Sequence, residues 1–131
     1  MRQQSGFTLI ELIAVIVILG ILAATAIPRF VDMSDAAEDA ALNGVVGSMA
    51  SAMALNYAAA VAKSAGITTT GSSAHVAVDD CSDIKDILVG GVPANYAVTA
   101  AAISGLGTTV ECEVTQSPSG KKGKFQGIGA P

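Results

Sequence analysis

One carboxylate stands alone in a long apolar run. Glu11 is the only charged residue between Gly6 and Pro28, and from Leu12 to Ile27 the chain reads LIAVIVILGILAATAI. An ionised residue costs about 2.5–3.5 kcal/mol at the centre of a membrane helix and less near its edge, so a carboxylate kept there is functional by default. The chemistry open to Glu11 is pairing with a cation equally removed from water; the plainer alternative is a carboxylate at the membrane edge reaching for solvent. The remaining groups promise less. Asp79, Asp80, Asp83 and Asp86 surround Cys81 and offer oxygens of the kind calcium takes, but without EF-hand spacing they read as a solvated acidic face. Lys121, Lys122 and Lys124 form a small basic cluster, either a solvated turn or a contact for an acidic patch. His75 reads as a strand residue near the surface. Cys81 and Cys112 with one histidine cannot complete a four-ligand zinc site. No GxSxG, Walker loop or HExxH occurs, so neither an enzyme nor a cofactor or metal is expected.

Composition narrows the class. The 131 residues are 51% hydrophobic and 14% charged, against about 25% charged in an ordinary soluble domain. That excludes a disordered chain. Seven basic residues against 11 acidic ones, a net charge of −4, supply no basic stripe for nucleic acid.

The elements that must position Glu11 follow from patterning. Phe7 to Ile27 is 21 residues, about what a helix needs to cross ~30 Å of hydrocarbon. No single face of it is polar. A signal peptide cut after Ala26 fits loosely and would release a soluble head, but the short basic region and Glu11 oppose it. From Arg29 to about Ser64 the chain turns alanine-rich and amphipathic, with Leu42, Val46, Met49 and Met53 on one face as core residues. Asp32, Asp35, Glu38 and Asp39 suit the start of a second helix if Pro28 ends the first. Gly44 and Gly47 suggest close packing against a sheet. Helix from Phe7 to Ser64 would run about 87 Å at 1.5 Å per residue, too long for a 60-residue head to cover. Half must be buried in something other than the head, and a membrane is the first candidate.

Ala65-Gly66 ends the helix, and Thr68 to Ser73 reads as a polar loop. Strand candidates are His75–Val78, Tyr96–Ile103, Thr108–Thr115 and Lys124–Ile128, with one or two helical turns over Ser82–Leu88. These predict an α+β fold in which the helix's second half packs on a small antiparallel β-sheet head. A cysteine pair in the exported part of a chain reads as a disulfide, Cys81 to Cys112.

The stretch SGFTLIELIAVIVILGILAATAIPRF is similar to the N-terminus of type IV pilins and of type II secretion pseudopilins. Gly6-Phe7-Thr8-Leu9-Ile10-Glu11 resembles their processing motif, and the short leader resembles the type IVa class. The following AIPRFVDMSDAAEDA is also similar to mannose-sensitive haemagglutinin-type pilins. The resemblance implies that a prepilin peptidase cuts Gly6–Phe7 on the cytoplasmic side and N-methylates Phe7. It implies that Glu11 meets the Phe7 amine of an adjacent chain, although one helical turn also permits a pair within one chain. Gly20 and Pro28 match two helix-loosening positions, between which family filaments lose helical order. The Cys81–Cys112 pair is placed like the bridge that frames a pilin's C-terminal loop, and most major pseudopilins lack one.

The expected organisation is therefore a cytoplasmic leader (1–6), a transmembrane and filament-core helix (7–28), its amphipathic continuation (29–65) and a β-rich head (66–131). The expected protein is a pilin inserted in the inner membrane and then polymerised with its own kind into an extracellular pilus. Its partners would be lipid, the peptidase, an inner-membrane assembly platform and other pilin subunits, with no nucleic acid indicated. The alternative is a pseudopilin of a short periplasmic pseudopilus. Adhesion, motility and DNA uptake are equally compatible with these residues.

Overall fold

The computed structural model describes residues 6–67 and 75–131. The leader before Gly6 and the loop expected over Thr68–Ser73 lie outside the described residues. Two compact units divide the chain after Glu38.

Helix α1 spans Leu9–Ser64. In its first part, in the first unit, every described residue from 6 to 37 is exposed. Helix continues through Gly20 and Pro28, so the second helix that Asp32 or Asp35 would cap does not begin there. A proline removes one backbone donor and crowds the carbonyl one turn back, and Pro28 nevertheless lies inside the helix.

The second unit holds the core. From α1 it takes Leu42, Met49, Met53 and Ala60, all buried, with Val46 half-buried beside them. This is the apolar face expected from the 4-3-4 spacing. Against it lie a 3-10 turn over Cys81–Asp83, helix α2 over Ile84–Ile87, and strands β1 (Tyr96–Val98), β2 (Thr109–Gln116) and β3 (Lys122–Ile128). The strands form an antiparallel sheet in the order β1-β2-β3, with Tyr96 opposite Gln116 and Cys112 opposite Phe125. Cys112, Val114 and Gln116 point inward from β2 and Phe125 from β3. The α+β architecture is the expected one.

Three local expectations are corrected. Gly44 and Gly47 do not face the sheet; they are exposed, with nothing within 4 Å of a built Cβ. The close approach comes instead at Gly123 of β3, where a Cβ would stand 2.5 Å from Val46 and 3.2 Å from Leu42. His75–Val78 is no strand beyond one bridge, Val78 to Ala130. Asn56 is the cause: its side-chain amide donates to the Val76 carbonyl and accepts the Val76 N–H, each at 2.8 Å, consuming the groups a ladder would need. Tyr96–Ile103 stays a strand only to Val98, because the Ala101 carbonyl accepts from Cys81 N–H and Ile103 N–H donates to Asp79.

Candidate functional site

The N-terminal segment has a built helix start. Thr8 precedes α1, and its carbonyl accepts the Leu12 N–H at 3.2 Å. Glu11 Oε2 accepts both the Thr8 N–H and the Thr8 hydroxyl at 2.8 Å, while the Glu11 N–H reaches Thr8 Oγ1 at 3.4 Å. This is a capping box, in which residues three apart satisfy each other's backbone donors. Its sequence signal is Thr8-Leu9-Ile10-Glu11, a threonine three residues before a glutamate, which the charge of Glu11 alone does not reveal. No bond to Oε1 of Glu11 is found among the described residues.

Behind Glu11, Leu12, Ile16, Leu19 and Leu22 are each more than half exposed. The helix contains a segment long and apolar enough to cross a membrane, none of it buried against the rest of the protein. Such a surface requires lipid or protein around it. Its one hydroxyl is already satisfied: Thr25 Oγ1 donates to the Leu22 carbonyl at 3.0 Å. Nothing lies within 4 Å of a Cβ built at Gly20, so no contact within the described residues requires a glycine there.

In the second unit Cys81 and Cys112, 31 positions apart in sequence, form a disulfide with Cα atoms 5.7 Å apart. Both cysteines are fully buried. The bridge ties the 3-10 turn to the central strand. Gly127 of β3 lies beneath it, where a Cβ would come within 2.6 Å of both Cys112 Sγ and Ile103 Cδ1.

Two of the aspartates around Cys81, Asp80 and Asp83, act on backbone. Asp80 accepts the Ser82 N–H at 2.8 Å, and Asp83 reaches back to the N–H groups of Asp80 and Asp79 at 2.9 and 3.1 Å. The Ser82 donors hold the Asp80 carboxyl below its ordinary 3.8. The lysines are taken within the chain: Lys121 meets Asp39 at 2.9 Å, Lys122 meets Glu113 at 2.8 Å and Lys124 meets Glu111 at 2.6 Å. Glu111 raises the Lys124 ammonium above its ordinary 10.5. His75 is half-buried rather than a strand residue, with Nε2 3.1 Å from the Pro131 carbonyl oxygen. Two chemistries therefore stand out: a capped carboxylate at the head of an uncovered apolar helix, and a covalent staple in a small head.

Comparison with known proteins bears on the first of these. Residues 1–27 match the prokaryotic N-terminal methylation motif. Over 67 residues the chain is 50% identical to the type IV narrow pilus major component PilA5 of Thermus thermophilus, covering 51% of this chain and 54% of that protein. Over 52 residues it is 48% identical to the type II secretion system core protein G of Pseudomonas aeruginosa, covering 40% of this chain and 37% of that protein. The chain thus aligns with about half or less of these relatives' length. No solved structure matches it. The chain carries a prepilin-type N-terminus and is similar to both a pilus component and a secretion-system protein.

Proposed function

We propose that this chain is the structural subunit of a type IV pilus, with a mechanical rather than catalytic role. The observation that carries the reading is the methylation-motif match at residues 1–27 on a helix whose apolar residues are exposed among the described residues. A helix of this kind is stable in two settings, a bilayer and a bundle of like helices. The same surface can therefore serve the membrane-inserted precursor and the polymer in turn.

In this reading prepilin peptidase cuts Gly6–Phe7 and N-methylates Phe7, which keeps the new amine cationic. Glu11 then has a cation of matching burial, the Phe7 amine of an adjoining subunit. A buried carboxylate is tolerable when paired and strongly destabilising when its partner is removed, so the pair favours one register between subunits. Gly20 and Pro28 weaken the intervening helix and let it stretch as subunits leave the membrane for the fibre. An inner-membrane assembly platform would perform that transfer, placing the precursor in the inner membrane and the product outside the cell. The Cys81–Cys112 disulfide suits a subunit that works outside the cell, where oxidising conditions let such a bridge persist.

A second reading, a pseudopilin of type II secretion, is favoured by the similarity to core protein G. Intact mass of protein sheared from the cell surface, with and without reductant, tests both. The pilin predicts a surface chain beginning at methylated Phe7 that gains two hydrogens on reduction. The same species confined to the membrane fraction favours the pseudopilin. A chain beginning at Ile27 overturns both.

A further inference from the structure

We infer that Thr8 is the positioning residue for Glu11: its hydroxyl and N–H occupy one carboxylate oxygen, fix the start of the helix and leave the other oxygen for the incoming amine. The inference rests on the pilus reading for the amine and on the geometry for everything else.

Glu11 Oε2 receives two hydrogen bonds from one residue, the Thr8 N–H and hydroxyl, both at 2.8 Å. Two donors on one oxygen restrict the side chain to a narrow range of orientations. In water this would matter little, because solvent competes for every group. In hydrocarbon no water is available to an orphan donor, and unpaired backbone groups are strongly disfavoured. The first N–H groups of any helix lack partners within the helix. At this end Thr8 and Glu11 satisfy one another: the Thr8 N–H goes to Glu11 Oε2 and the Glu11 N–H approaches Thr8 Oγ1 at 3.4 Å. The carboxylate consequently enters the bilayer already carrying two bonds, and its second oxygen has no partner among the described residues. Cleavage at Gly6–Phe7 leaves the Phe7–Thr8 amide intact, so the box survives processing.

This divides the labour between two residues. Charge resides on Glu11 and orientation comes from Thr8. Glutamine closes a capping box as glutamate does, so Glu11→Gln keeps the cap and loses the charge. Thr8→Val keeps the shape and loses the hydroxyl, and Thr8→Ser keeps the hydroxyl. The three variants separate roles that a single substitution would confound.

The test uses the full chain in phosphatidylglycerol–phosphatidylethanolamine vesicles, with amide hydrogen exchange measured at Thr8 and Glu11. Filament yield and subunit mass are measured in cells from the same variants. Thr8→Val is expected to speed exchange by about fivefold or more, the usual scale of a lost cap. Thr8→Ser and Glu11→Gln should stay within about twofold of the natural chain on the same scale. In cells, Thr8→Val should be cleaved and methylated yet assemble poorly, Thr8→Ser should assemble, and Glu11→Gln should fail with its cap intact. Equal exchange in Thr8→Val and the natural chain overturns the inference. So does normal assembly of Thr8→Val, failure of Thr8→Ser, or a Thr8→Val chain left uncleaved, which would make Thr8 a peptidase determinant. Absence of filaments from the natural chain would sink the pilus reading alone, because the exchange measurement reports on the cap without it.

Discussion

Asp80 shows what a capping carboxylate contributes to the head. It sits before the 3-10 turn that carries Cys81 and accepts the Ser82 N–H, which holds its carboxyl below the ordinary 3.8. A carboxylate with a depressed value in the folded state stabilises the fold above its unfolded value, and that contribution is lost as pH falls through the folded value. Lys124 has the opposite sense: raised above 10.5 by Glu111, it contributes below that pH and loses its contribution as pH rises beyond it. At neutral pH both contributions are present. Asp80→Ala should therefore lower the melting temperature at pH 7, and the gap from the natural chain should close as pH drops below 3.8. Thermal melts at pH 7, 5, 4 and 3 read this directly, and a gap constant with pH would show that Asp80 acts without its charge. Asp79 and Asp86, which make no such cap in the turn, set the contrast. Four acidic residues near a cysteine were legible as a group, but their division of labour depends on which backbone N–H each one faces.

At the scale of elements, the legible parts are those where side-chain pattern and backbone bonding agree. Met49 and Met53 were readable from helical spacing, and β2 from the alternation of Val110, Cys112 and Val114. The illegible parts are those where a distant side chain takes over a backbone. Val76 looks like a strand residue and would be one if Asn56, 20 positions away, did not occupy both its polar groups. No local pattern announces that. The glycines divide in the same way. Gly123 lets β3 lie close on α1, whereas Gly44 and Gly47 face outward with nothing near them. Gly123→Ala should cost about 1–3 kcal/mol, because Val46 and Leu42 must move to admit the methyl group. Gly47→Ala, mid-helix and unobstructed, should stabilise the isolated head by about 0.5–1 kcal/mol. Urea denaturation of the two variants distinguishes these signs, and destabilisation at Gly47 would show a contact to that face within the single chain.

At the scale of the molecule, the two units differ in what they need from their surroundings. The first exposes every described apolar side chain from position 6 to 37, and the second buries Met49, Met53, Ile84, Ile103, Val114 and the disulfide. A small head gains little from its core alone, so the covalent link matters: closing 31 residues is worth about 3–4 kcal/mol in the chain-entropy model. A chain beginning at Arg29 should therefore stay soluble without detergent and keep its fold, whereas the full chain should require lipid or detergent. Reduction of the shortened chain should then lower its melting temperature by roughly 12–20 °C, the size expected when that much stabilisation is removed from a domain of about 100 residues. Size-exclusion chromatography and thermal melts with and without dithiothreitol measure both effects. Aggregation of the shortened chain would mean that the apolar helix belongs to the head's own fold. A melting temperature indifferent to reductant would mean that the sheet and α1 hold the head unaided, leaving the bridge to resist unfolding by some other stress, such as tension along a fibre.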